Sequence, residues 1–230
     1  MNMENELVKV SVGSTFFDTV INLCSTPSIV ISAFVDFIIG LRSRKQLNNV
    51  IDVVNRHTSD LSIIKDTLLG KNFYLNTPVY VEDLLSTLQH AKDEANNEKR
   101  NLYASYLTAC CRPENVDSSS KAIYLKNLSQ LDEVGLFILQ YLDSISNPRT
   151  IMTALSTEKG ISINSEDFDN HLCDMESMKV VEKINVKDYM AANKRGGNRM
   201  PRKPERAFFY KRTSLGKGLY NFIFTGIPNK

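Results

Sequence analysis

From Lys179 to Phe224 the chain alternates, breaks and alternates again. KVVEKINVKDYM is an alternating segment, AANKRGGNRMPRKPER is basic with two glycines and two prolines, and AFFYKR is aromatic. Two such segments around a Gly/Pro-rich excursion predict a β-hairpin with a long charged loop. The TSLGKGLYNFIF that follows predicts a short amphipathic helix.

Elsewhere the punctuation is sparse. Seven Pro and ten Gly in 230 residues favour long helices over many short strands. Leu47, Val50, Val54, His57, Leu61, Ile64 and Leu68 recur at alternating spacings of three and four, a heptad-like stripe on one long helix. The stripe is short for a free-standing coiled coil, so it predicts an inner bundle helix. Homo-oligomerisation through residues 47–68 is the open alternative. His57, on that stripe, is expected to be a hydrogen-bonded core histidine. Further helices are expected over 14–23, 28–41, 79–95 and 98–111, with Pro27 at a first turn and Thr26 as its cap. The loop 112–121, with three consecutive serines, is the expected boundary between a helical bundle over 1–120 and a second domain over 121–230.

In the second domain a short helix is expected over 123–128. Ser129 then reads as the cap of a helix with Asp132 near its N3 position, and Val134, Phe137, Ile138, Tyr141 and Leu142 as its apolar face. Asn147-Pro148 ends that helix and a second covers 149–155. Gly160–Ile163 is expected as a short strand. Asn164-Ser165 then caps a third helix, with Phe168, Leu172, Met175 and Met178 spaced for burial.

The four cysteines form no Cys-x-x-Cys pair, and adjacent Cys110 and Cys111 suit a disulfide poorly; buried reduced thiols of a cytoplasmic protein are expected. Scattered His57, His90 and His171 predict no metal site and no cofactor. The N-terminus lacks the pattern of a secretory signal. Residues 16–41 are apolar but interrupted by Asp18, Asn22, Pro27 and Asp36, which predicts a core helix, with membrane contact as the open alternative.

Two resemblances bear on function. Glu98-Lys99-Arg100-Asn101-Leu102-Tyr103-Ala104-Ser105-Tyr106-Leu107, with the later Leu125-Lys126-Asn127-Leu128-Ser129-Gln130-Leu131-Asp132, resembles helical proteins of the Abi-alpha (abortive-infection-like) type of bacteria and prophages. It implies a role in phage–host conflict. Three helices, a short strand, a hairpin with a basic loop and Phe209-Tyr210-Lys211-Arg212-Thr213-Ser214-Leu215-Gly216 resemble the winged-helix fold over 129–225. The expected class is therefore mainly α: an N-terminal helical bundle followed by a C-terminal winged-helix (α+β) domain with a β-hairpin wing.

The winged-helix resemblance implies DNA binding, with the third helix in the major groove. Residues 165–178 carry Glu166, Asp167, Asp169, Asp174 and Glu176 and no Lys or Arg, so phosphates would repel them. The basic wing over 193–206 has the opposite sign. Lys194, Arg195, Arg199, Arg202, Lys203 and Arg206, with Lys211 and Arg212 beyond it, are the expected contacts to a nucleic-acid backbone or an acidic protein surface. Glu166, Asp167, Asp169 and Asp174 are the expected protein-interaction residues. Three readings stand: a non-catalytic nucleic-acid-binding protein, a protein–protein adaptor in a phage-defence or prophage system, and a membrane-associated effector. An enzyme is least favoured, because no phosphate loop, metal spacing or nucleophile–base constellation appears.

Overall fold

Proline at a first turn gives up an N–H that has no helical partner anyway. Pro27 opens α1 (Pro27–Ile39) in this way, and Gly40 ends it, with its N–H on the Asp36 carbonyl. The structure, a computed structural model, describes residues 18, 27–68, 75, 77–112, 117–142, 146–185 and 208–225. Of the expected helix over 14–23 only Asp18 is among these residues. They divide into two compact units, one of 1–125 with 222–230 and one of 126–221.

In the first unit α1 is followed by α2 (Arg44–Leu68), α3 (Pro78–Ala91), α4 (Asn97–Cys110) and the start of α5 (Ser118–Gln130). Thr77 caps α3 by accepting the Tyr80 N–H, and Asn96 caps α4 by accepting the Lys99 N–H. The seam of the bundle is α2 against α4, with α3 on both and α1 on α3. The α2 stripe supplies that seam: Leu47, Val50, Val54, His57, Leu61 and Ile64 are all buried. From Leu47 to Ile64 the stripe is thus covered by the chain's own helices. Leu84, Leu88, Tyr103, Tyr106 and Leu107 fill the opposite side. Asp52 pins α2 to α4 at the rim, accepting Arg56 Nε and Arg100 Nε at 2.8 Å each. Burial pushes its carboxyl up, but the hydrogen bonds and charges of both arginines outweigh that and hold it below the usual carboxylate range.

The second unit continues through α6 (Glu133–Tyr141), α7 (Pro148–Lys159), α8 (Ser165–Ser177), β1 (Val181–Asn185), β2 (Phe208–Arg212) and α9 (Ser214–Tyr220), which runs on into a π-helical turn at Asn221–Thr225. β1 and β2 pair antiparallel from Val181↔Arg212 to Asn185↔Phe208. The expected hairpin is therefore present. Leu136, Phe137, Ile138, Leu139, Leu155, Phe168, Leu172 and Met175 are buried.

Two expectations are corrected. Ser129 does not start a helix: it lies inside α5, its hydroxyl turned back to the Lys126 carbonyl, and Asp132 is the cap of α6, accepting the Gly135 N–H at 2.8 Å. The strand-like segment is not Gly160–Ile163. Gly160 takes a left-handed conformation (φ 68°) that stops α7, whereas Ser146, between α6 and α7, exchanges backbone hydrogen bonds with Tyr210 at 2.9 and 3.0 Å. α5 is continuous through the expected loop end, the division falls at 125/126 within it, and Phe222 belongs to the first unit, where its ring meets Tyr106 edge-on at 5.5 Å.

Candidate interaction surfaces

Inside the first unit the His57 ring and the Cys110 thiol are tied up in structure. Thr108 Oγ1 donates to the Ala104 carbonyl at 3.0 Å, so toward His57 Nδ1, 3.1 Å away, it is the acceptor. Nε2 is then left to accept the Tyr80 hydroxyl at 2.9 Å. Burial lowers the His57 pKa to about 3, so the ring is neutral at pH 7 and both nitrogens are engaged. Cys110 lies beside Tyr106, Asp83 and Lys121. Burial, and then the Asp83 charge, push its thiol far above the ordinary range, and a protonated thiol is a poor nucleophile. Among the described residues no cluster of three His, Cys, Asp or Glu side chains could hold a metal ion.

The second unit is built around the turn that joins α8 to β1. Val180 N–H bonds the Met175 carbonyl at 3.0 Å and Lys179 N–H bonds that of Glu176 at 2.9 Å, the paired bonds of a Schellman ending. Lys179 takes the left-handed position (φ 59°) that glycine usually fills. Met175 and Val180, the apolar pair of this ending, are both buried. Thr213 locks the turn to the far end of β2. Its N–H bonds the Val180 carbonyl, its hydroxyl donates to the Lys179 carbonyl, and the same oxygen accepts the Gly216 N–H to cap α9. Thr-x-x-Gly has a steric reason here: a Cβ on Gly216 would lie 1.9 Å from the Val180 carbonyl oxygen.

This clamp decides what the strand cations can do. Arg212 is 4% exposed; its Nε donates to the Leu142 carbonyl and its guanidinium stacks 3.9 Å from the Tyr220 ring centre. The Arg212 guanidinium is thus held against the α6 C-terminus and α9. Lys211 faces outward, paired at 2.9 Å with Glu182 directly across the ladder. Lys194, Arg195, Arg199, Arg202, Lys203 and Arg206 lie outside the described residues.

The expected acidic residues all lie on α8. Glu166, Asp167 and Asp174 are exposed and Asp169 is half-buried. Asn164 caps the helix by accepting the Asp167 N–H at 2.9 Å and donates its amide to Asp167 Oδ2 at 2.6 Å. Glu166 and Asp167 also suit the positive end of the helix dipole. Glu176 turns aside and takes the Lys183 N–H at 3.1 Å, which blunts one donor of the β1 edge. Sequence reading missed Ser146 and Lys179 and put Asp132 at N3 rather than at the cap. Only Asp132 left a signal, as an Asp three residues before a glycine at the head of an apolar run. Comparison with protein-family models, curated proteins and solved structures returned no match.

Proposed function

We propose that the chain is a non-catalytic binding protein whose C-terminal unit is a winged helix contacting nucleic-acid backbone mainly through its basic wing. The observation that carries this is the connectivity around β2. Ser146 pairs with Tyr210 on one side of the strand and β1 pairs along the other, after α6, and with α7 and α8 in between. Helix, short strand, helix, helix, strand, wing, strand is the order of a winged helix. The 22-residue connection over 186–207 holds seven Lys and Arg against two carboxylates, and its ends are fixed side by side at Asn185 and Phe208. Such a loop follows a phosphate backbone without reading sequence. An α8 with exposed carboxylates and no cation is unsuited to base contacts, which leaves the binding charge in the wing.

Duplex-DNA titration across salt concentrations tests this. Affinity should fall steeply with salt, and Arg199→Ala, Arg202→Ala and Lys203→Ala together should reduce the log–log slope by about 2–3. No binding to DNA or RNA at low salt would sink it. The second reading, an adaptor that offers α8 to a basic protein surface, is supported by the exposure of Glu166, Asp167 and Asp174. It expects Glu166→Lys and Asp174→Lys to abolish partner capture while leaving folding intact. The phage–host setting rests on the resemblance of 98–107 and 125–132 alone.

A further inference from the structure

α1 is apolar on both of its sides. Val30 and Phe34 are buried, and the helix packs on α3. Away from them Ile31, Val35, Ile38 and Ile39 fall at i, i+4, i+7 and i+8, a second stripe. Val35 is 38% and Ile39 62% exposed, and Ile31 and Ile38 are half-buried. Apolar surface of this kind outside a core marks a contact region. The charge beside it says what the contact is. Residues 37–51 contain Arg42, Arg44 and Lys45, all exposed, and no carboxylate. A second copy would meet those three cations with only Asp36 from its own α1, whereas an anionic surface meets all of them.

We infer that α1 is an interfacial anchor that lays its Ile31–Val35–Ile39 stripe on an anionic lipid surface, with Arg42, Arg44 and Lys45 at the headgroups. Its 13 residues reach about 20 Å, short of the ~30 Å of a hydrocarbon core, and no described helix is long and apolar enough to cross a membrane. A helix lying in the plane needs one apolar stripe and cations near it; α1 supplies the stripe, and Arg42, Arg44 and Lys45 follow it in the chain. The proposal is independent of the wing's reading.

Flotation of the full chain with phosphatidylcholine vesicles, with and without phosphatidylserine, is the test. The protein should float with the phosphatidylserine vesicles. Val35→Ser with Ile39→Ser should abolish this at unchanged charge, and Arg42→Ala, Arg44→Ala and Lys45→Ala should each lower partitioning by roughly fivefold. Absence of flotation overturns the proposal. So does flotation that is lost in the Arg199/Arg202/Lys203 alanine variant and kept in the stripe variant, since the wing would then be the lipid contact. A dimer in light scattering that the stripe variant dissociates assigns the face to a second copy. A large drop in melting temperature of the stripe variant assigns it to the chain's own residues. Either result overturns the inference.

Discussion

At the scale of single residues, the turn between α8 and β1 carries the sharpest constraints. Gly216→Ala would drive a methyl into the Val180 carbonyl and break the Thr213–Val180 hydrogen bond, both of which are backbone groups that cannot step aside. It should cost about 3 kcal/mol, measured as a shift in urea midpoint. Lys179→Gly should act in the opposite direction. A lysine held at φ 59° gives up energy that glycine does not, so the variant should gain about 1 kcal/mol in the same experiment. Arg212→Ala separates structure from binding. It should lose about 3 kcal/mol of stability by removing the guanidinium from the Leu142 carbonyl and the Tyr220 ring, and leave the salt slope of DNA binding unchanged. A changed slope with unchanged stability would return Arg212 to the binding set.

At the scale of elements, α2, α3 and α4 are joined through a neutral histidine. Unfolded His57 titrates near 6.5, whereas in the fold it stays unprotonated down to about pH 3. Below pH 6.5 the unfolded chain therefore binds a proton that the native chain refuses, and stability falls as pH falls. The loss should reach about 2–3 kcal/mol by about pH 4.5, before most carboxylates titrate. His57→Leu should flatten that limb in chemical denaturation at a series of pH values, at some cost from the orphaned Tyr80 hydroxyl. Of these elements the α2 stripe was legible because burial repeats with the helical period. Its partner was not: Asp52 and Arg56 stand at the i, i+4 spacing of a helical ion pair, but nothing in the sequence announces that Arg100, 48 residues on, shares the carboxylate. The Ser146 bridge was equally silent: one residue of strand has no periodicity.

At the scale of the whole molecule, the chain does not divide where its composition changes. The serine run at 118–120 looked like a linker, yet it is the first turn of α5, and Asp117 accepts the Ser120 N–H and hydroxyl there as its cap. Division inside a continuous helix means that contacts, not punctuation, define the two units. The described C-terminal residues make the same point. Phe222 lies against Tyr106 and Tyr124, with ring centres at 5.5 and 5.4 Å. Phe222→Ala should therefore weaken the first unit by about 1–2 kcal/mol, visible as faster amide exchange in α4 rather than in α7 or α8.

The sequence by itself determined the helices, the hairpin, the acidic face of α8 and the basic character of the connection, because periodicity and charge are local properties of a chain. Only the tertiary structure decided that Arg212 is a buried tie, that the α2 stripe is covered from Leu47 to Ile64 and that α1 leaves Val35 and Ile39 exposed. Those outcomes depend on which surfaces residues far apart in sequence happen to cover. The Lys179–Phe224 stretch was visible as a hairpin; that Thr213 and Gly216 clamp it to the end of α8 became visible only when Val180 stood beside them.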